Sequence, residues 1–193
     1  MASILKVDQL QGATTATTVA IPGGVVQVQF VNSTSGSALS ANTAALGHTL
    51  LTKTITTKIA NSQIYVSAQI SHGVGGNASN MDSHDTTFGT YRGTTLVGGV
   101  SGSHTRTSGS APGGGTWYQT DVPFSPSRDM TYGNGYDVYY KLHQFLDSPG
   151  GAAGTAYTYR IAVFNQSTYY HNRGRDAALG GGISTLTLME IAP

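Results

Sequence analysis

Chemistry in this chain would have to come from a few clusters of polar and glycine residues. Asp82, His84 and Asp85 crowd into one short stretch and offer oxygen and nitrogen donors to a divalent cation. Metal sites draw their ligands at spacings set by a helix, a strand or a defined loop, and this run matches none of them. A solvated turn accounts for it. Gly73-Val74-Gly75-Gly76-Asn77-Ala78 fits a loose dinucleotide fingerprint. That chemistry needs a helix N-terminus to receive the pyrophosphate, and Ser79-Asn80-Met81-Asp82-Ser83 has no helical period. The glycine runs at 113–115 and 180–182 lack a following Lys-Ser/Thr, and every lysine follows a non-glycine residue, which excludes a P-loop. No G-x-S-x-G elbow exposes a serine nucleophile. His48, His72, His104, His143 and His171 are scattered without pairing, as surface or structurally satisfied histidines would be. Glu190 is the sole glutamate and the aspartates are dispersed, so spacing builds no glycosidase pair. The expectation is a protein without catalytic residues, metal or cofactor.

Aromatic residues suggest contact surfaces instead. Tyr169-Tyr170-His171-Asn172-Arg173-Gly174-Arg175 mixes rings with arginines, a cue for single-stranded nucleic acid. A net charge of +1 supplies no wider basic surface for that partner or for an anionic membrane. Tyr169, Tyr170 and Arg173 are therefore expected to touch a sister subunit or a glycan. Trp117 and Tyr118 close a glycine-rich stretch, where large rings give contact area at low entropic cost. Burial of Trp117 in the core is an equal alternative.

The elements that must position these residues follow from composition and period. The chain has 193 residues, enough for one domain with a real core. Charged residues make up 10 %, against about 25 % in ordinary soluble domains. Threonine, serine, asparagine and 26 glycines fill the difference. Long solvated helices rely on Glu, Lys and Arg, whereas strands tolerate outward Thr, Ser and Tyr. Absence of cysteine removes disulfides and thiolate sites. The first residues show no apolar secretory core, and no segment reaches the about 20 apolar residues of a membrane span. Synthesis in a cytoplasm, without membrane insertion, is expected.

Residues 1–24 differ from the rest. Leu5 and Val7 alternate with Lys6 and Asp8, a period of two, before a Gly-Ala-Thr-Thr-Ala-Thr-Thr tract. This stretch is too small for a core of its own and reads as an attachment arm, with Ile4, Leu5, Val7 and Leu10 as its contact residues. From Val25 to Pro193 the pattern is a β-sandwich body. Strands are expected at 25–30, 49–57, 63–70, 86–92, 95–97, 117–122, 136–145, 157–165 and 183–191. Val26, Val28 and Phe30 share one face, and Gly93-Thr94 turns a hairpin. The last run alternates imperfectly, as a strand buried on both sides or against a neighbouring subunit would. A loop is expected over 98–115, and 38–51 has room for one short helix. About eight short strands with turn signals predict an all-β jelly roll with an extended N-terminal arm.

Several segments, in order, resemble a family of small bacteriophage virion proteins common in marine phages. They are Ser3-Ile4-Leu5-Lys6-Val7-Asp8, Gly24-Val25-Val26-Gln27-Val28, Ala60-Asn61-Ser62-Gln63-Ile64-Tyr65-Val66, Tyr91-Arg92-Gly93-Thr94 and Asp121-Val122-Pro123. The ending, Ser184-Thr185-Leu186-Thr187-Leu188-Met189-Glu190-Ile191, is the most telling. Gln63 stands where relatives often carry lysine. The resemblance implies a structural virion component, usually a homotrimer: a fibre or tail-tip protein, or a head-decorating one. On that reading the arm docks on another virion protein of the tail, portal vertex or capsid. The body trimerises through apolar strand faces and presents loops to a host-surface glycan. The alternative it leaves is a capsid decoration, cement or head-fibre protein that braces the shell.

Overall fold

The computed structural model describes residues 22–40, 47–74, 86–106, 117–123, 125–127, 138–165, 168–173 and 181–193. The described residues form strands and connections, with no helix. In chain order the strands are β1 (Val25–Ser33), β2 (Ser37–Leu39), β3 (His48–Thr56), β4 (Gln63–Val74), β5 (Thr86–Arg92) and β6 (Thr95–Arg106). There follow β7 (Trp117–Pro123), β8 (Ser125–Ser127), β9 (Val138–Asp147), β10 (Ala156–Asn165), β11 (Tyr169–His171) and β12 (Ser184–Ile191).

Eight long strands lie in two facing antiparallel sheets, β1-β12-β4-β9 and β3-β10-β5-β6. The pairs β1/β12, β3/β10, β4/β9 and β5/β6 nest inside one another along the sequence. That nesting is one long hairpin, closed at Gly93-Thr94, rolled into a sandwich. It is the jelly-roll topology that the regular short strands predicted. Of the shorter strands, β11 joins β4 beyond the end of β12 and carries β2, while β8 pairs with β5. Gly93 turns the innermost hairpin with φ +60, a conformation that its missing Cβ allows.

Strand parity sorts the core. Ile64, Val66, Ala68 and Ile70 of β4 point inward beside Leu186 and Leu188 of β12. From the other sheet Leu51, Ile55, Phe88, Tyr159, Ile161 and Val163 meet them. At one margin β6 crosses close under β9. A Cβ on Gly98 would lie 2.6 Å from the Phe145 ring and against His143 Nε2, so only hydrogen fits there.

Three expectations change. Residues 98–106, expected to begin a loop, belong to β6, because its backbone pairs with β5 and then β7 despite the glycines. Of 38–51, residues 38–39 and 48–51 are strand, in β2 and β3, which narrows the room for a short helix, and 41–46 lie outside the described residues. Val26, expected on one face with Val28 and Phe30, is separated from them by a bulge between Val25 and Gln27. Val28 and Phe30 face outward, each 51 % exposed.

One buried polar group fastens the sheets at the end where β1 begins. Glu190 of β12 has an inward position and no exposed surface. Its carboxylate accepts the backbone N–H of Lys58 at 2.8 Å, that of Ile59 at 2.9 Å, and the Ser62 hydroxyl at 2.6 Å. Gln27 Nε2 adds a fourth donor at 2.6 Å and also donates to the Thr56 carbonyl. Burial alone would raise the Glu190 pKa, but the bonds from Ser62, Gln27, Ile59 and Lys58 outweigh it and hold the carboxyl below its ordinary value.

Glu190→Ala should destabilise the domain by about 3 kcal/mol or more, since it strands several buried donors. Glu190→Gln, which keeps shape and one acceptor, should lose less; urea midpoints read both. Because folding depresses the Glu190 pKa, its contribution is present above the ordinary carboxyl range and lost as pH falls through the folded value. Gly98→Ala should cost about 1–3 kcal/mol by forcing β6 and β9 apart, read in the same assay.

Candidate functional site

The only hydroxyl–imidazole pair with nucleophile-like spacing among the described residues lies where β11 meets β12. Ser184 Oγ stands 3.0 Å from His171 Nε2, both residues buried. Asn172, at φ 57, donates Nδ2–H to the Ser33 carbonyl and hydroxyl and so turns Oδ1 towards Ser184. The Ser184 hydroxyl donates to that Oδ1 at 2.6 Å and accepts Ser71 N–H at 2.9 Å. A hydroxyl has one proton, and it is committed to Asn172. His171 must therefore be the donor in its bond to Ser184, as the Nε2–H tautomer that this network assigns. The nitrogen that faces the serine is then already protonated and has no free lone pair to take the serine proton. The cluster ties β1, β4, β11 and β12 together, and burial lowers the His171 pKa to about 4.

A second network sits at the opposite end. Asp147 of β9 pairs with Arg92 of β5 at 2.6 Å and accepts the Tyr159 hydroxyl at 2.6 Å. Burial, with the Asp147 hydrogen bond and charge, raises the Tyr159 pKa far above its usual value, so the phenol stays protonated as a donor. These groups spend their hydrogen-bonding capacity on one another. Chemically they are fasteners.

The molecule accordingly has two unlike ends. At one end lie the starts of β1 and β10, the ends of β3, β5 and β9, the Gly93-Thr94 turn and Ala192. This end is cross-tied: Gly23 N–H bonds Ala192 O, Ala192 N–H bonds Gly24 O, and Thr57 and Asn61 bond the 151–155 connection. Residues 34–47, 75–85, 107–137 and 166–183 all connect strands at the opposite end. Residue 21 thus attaches at the cross-tied end, and the long connections attach at the other.

The two outward sheet faces are just as unlike. On β3 and β10 the outward residues include Thr52, Thr54, Thr56 and Thr158, and Thr54 bonds Thr158 across the strands. Arg160 lies 4.5 Å over the Tyr91 ring on that face. The β1-β12-β4-β9 face is different. Its register aligns Val28, Met189, Tyr65 and Leu146 in one row across four strands. The next rows run Phe30, Thr187, Ser67, Gln144 and then Asn32, Thr185, Gln69, Leu142, with Tyr140 beyond them. Leu142 is 63 % and Tyr140 57 % exposed. Among the described residues on these four strands, none that faces outward is charged.

The expected contact residues fall in different places. Tyr169 is 2 % exposed and belongs to the core, its ring stacked 6.0 Å from His72 and edge-on to Phe88. Tyr170, the alternate neighbour, points outward and carries Arg173 5.0 Å over its ring. Those two remain together at the surface. Trp117 and Tyr118 pair in backbone with Arg106 and Thr105; their side chains lie outside the described residues, as do Ile4, Leu5, Val7, Leu10 and the Asp82–His84–Asp85 cluster. Sequence reasoning missed the outward row itself. Its signal was a body strand, 25–30, with apolar residues at successive odd and even positions. Comparison of the chain with protein-family models and with curated proteins returns no match, and no helix among the described residues is long and apolar enough to cross a membrane.

Since His171 is held neutral, it binds fewer protons folded than unfolded between about 4 and its ordinary 6.5. Its stabilising contribution is complete above pH 6.5 and declines as pH falls towards 4. The melting temperature should be lower at pH 5 than at pH 7. In His171→Gln that pH difference should shrink, while the variant is less stable at both.

Proposed function

We propose that this chain is a non-enzymatic structural protein of a bacteriophage particle. On this reading it is a trimeric fibre or tail-tip adhesin that docks through residues 1–24 and presents its long connections to a host-surface glycan. The observation that carries the reading is the two-ended construction. The arm attaches where backbone bonds from Gly23 and Ala192 and the Glu190 and Asp147 networks make the base rigid. Residues 75–85, which join β4 to β5, attach at the far end, as do the stretches around the short strands β2, β8 and β11, and loop sequence there can vary more freely than strand sequence. An extended arm with Leu5 and Val7 on one side suits strand addition to a partner's sheet. The ordered segments that resemble phage virion proteins support the same assignment. Low charge also suits it: contacts that do not depend on ion pairs survive the salt that screens them.

The test is incorporation and position on intact particles. The fragment from Val25 onward should fold but fail to join particles that the full chain joins; equal incorporation would remove the docking role. Cryo-electron microscopy should place a few copies at the tail. Hundreds of copies over the shell would replace the adhesin by a decoration protein.

A further inference from the structure

The geometry points to the outward β1-β12-β4-β9 face as the surface on which copies of this chain pack against one another. The inference rests on the reading that the protein assembles from several copies, and it names the interface. Isolated exposed apolar side chains are ordinary, but contiguous apolar patches beyond a few hundred Å² on a monomer mark interaction sites. Here the exposed large residues Val28, Phe30, Tyr140, Leu142 and Leu146 all fall on one sheet face, in register. With four strands about 4.8 Å apart and about eight residues of 3.3 Å rise, the face measures on the order of 500 Å² in plan. The relief of its side chains brings that close to the about 800 Å² per partner of a stable interface.

Three features choose a second copy as the occupant. A face without charge has no electrostatic hold on a membrane, a nucleic acid or a charged glycan. It also escapes the like-charge repulsion that two identical charged faces would meet. Finally, the most exposed apolar residues lie at the two margins, on β1 and β9, joined across the middle by the half-buried Met189 and Tyr65, with Thr185, Thr187, Ser67 and Gln69 beside that row. The β1 margin of one copy can cover the β9 margin of another, and a contact between unlike margins closes into a ring where its rotation closes. On the opposite sheet the exposed outward residues are threonines, Thr52, Thr54, Thr56 and Thr158, which do not offer a comparable apolar surface.

The full chain should run as a multiple of 20.0 kDa in light scattering at tens of micromolar. Phe30→Lys on one margin and Leu142→Lys on the other should each reduce it to the single-chain mass, with unchanged strand circular dichroism. Thr54→Lys, on the other sheet, should leave the assembly intact. Hydroxyl-radical footprinting of the unsubstituted chain gives a second readout that no folding defect can confuse. Phe30, Tyr65, Met189 and Leu142 should become several-fold more reactive on dilution to the single chain. A single-chain mass for the full protein overturns the inference. So does an assembly that survives both substitutions, or footprints that do not change with concentration. An intact assembly with unprotected face residues would refute this interface while leaving the virion role standing.

Discussion

A single carboxylate holds together the part of the molecule on which everything else is mounted. Glu190 points inward at the edge of a largely apolar core, where an unpaired charge would be expensive. It is tolerated because donors from the 58–62 turn and from β1 surround it. The consequence is geometrical. The last strand, the first strand and the connection between the two sheets converge on one pair of oxygen atoms. A jelly roll has its chain ends on neighbouring strands, so this node lies beside the place where residue 21 attaches.

Scarcity of charge then acquires a structural meaning. Several ionisable groups serve internal fastening: Glu190 on a turn, Asp147 on Arg92 and Tyr159, His171 on Ser184. On the outward sheet faces, threonines with Arg160 mark one side and uncharged, largely apolar residues the other. Threonine outward on a strand satisfies β-propensity and hydration together. Apolar residues outward satisfy only the first, and a solitary domain would gain solubility by replacing them. Their concentration on one sheet is the asymmetry that an assembling protein needs.

Much of the fold was legible because it depends on period and punctuation. The alternation in 63–70 located β4, Gly93-Thr94 located the innermost turn, and polar spacing marked the strand count. Less legible was anything decided by which neighbour a strand acquires. Val26, Val28 and Phe30 read as one face, and alternation does not say which way a face points; the bulge after Val25 separates Val26, and pairing with Met189 and Thr187 sets Val28 and Phe30 outward. Glycines at 98–102 read as loop because propensity disfavours them in strands. Yet Gly98 is required where β6 passes under Phe145, a constraint that exists only after the sheets have met. Tyr169 and Tyr170 are adjacent and chemically alike, and strand parity alone sends one into the core and the other to the surface.

The same parity argument bears on how chemistry was to be found here. A serine beside a histidine at 3.0 Å would, from distance alone, invite a nucleophile and its base. The direction of the protons decides otherwise, and that direction is set by the residue next to His171. Asn172 sits in a left-handed conformation, accepts Gly182 N–H on its carbonyl, and holds its amide against Ser33. This orientation makes Oδ1 the acceptor for Ser184 and leaves His171 to donate. Residues with catalytic names are thereby converted into a latch between the first strand and the last. The latch at this end and the Glu190 node at the other pin β12 at both termini, while its alternate residues, Met189 and Ile191 among them, face outward half-buried.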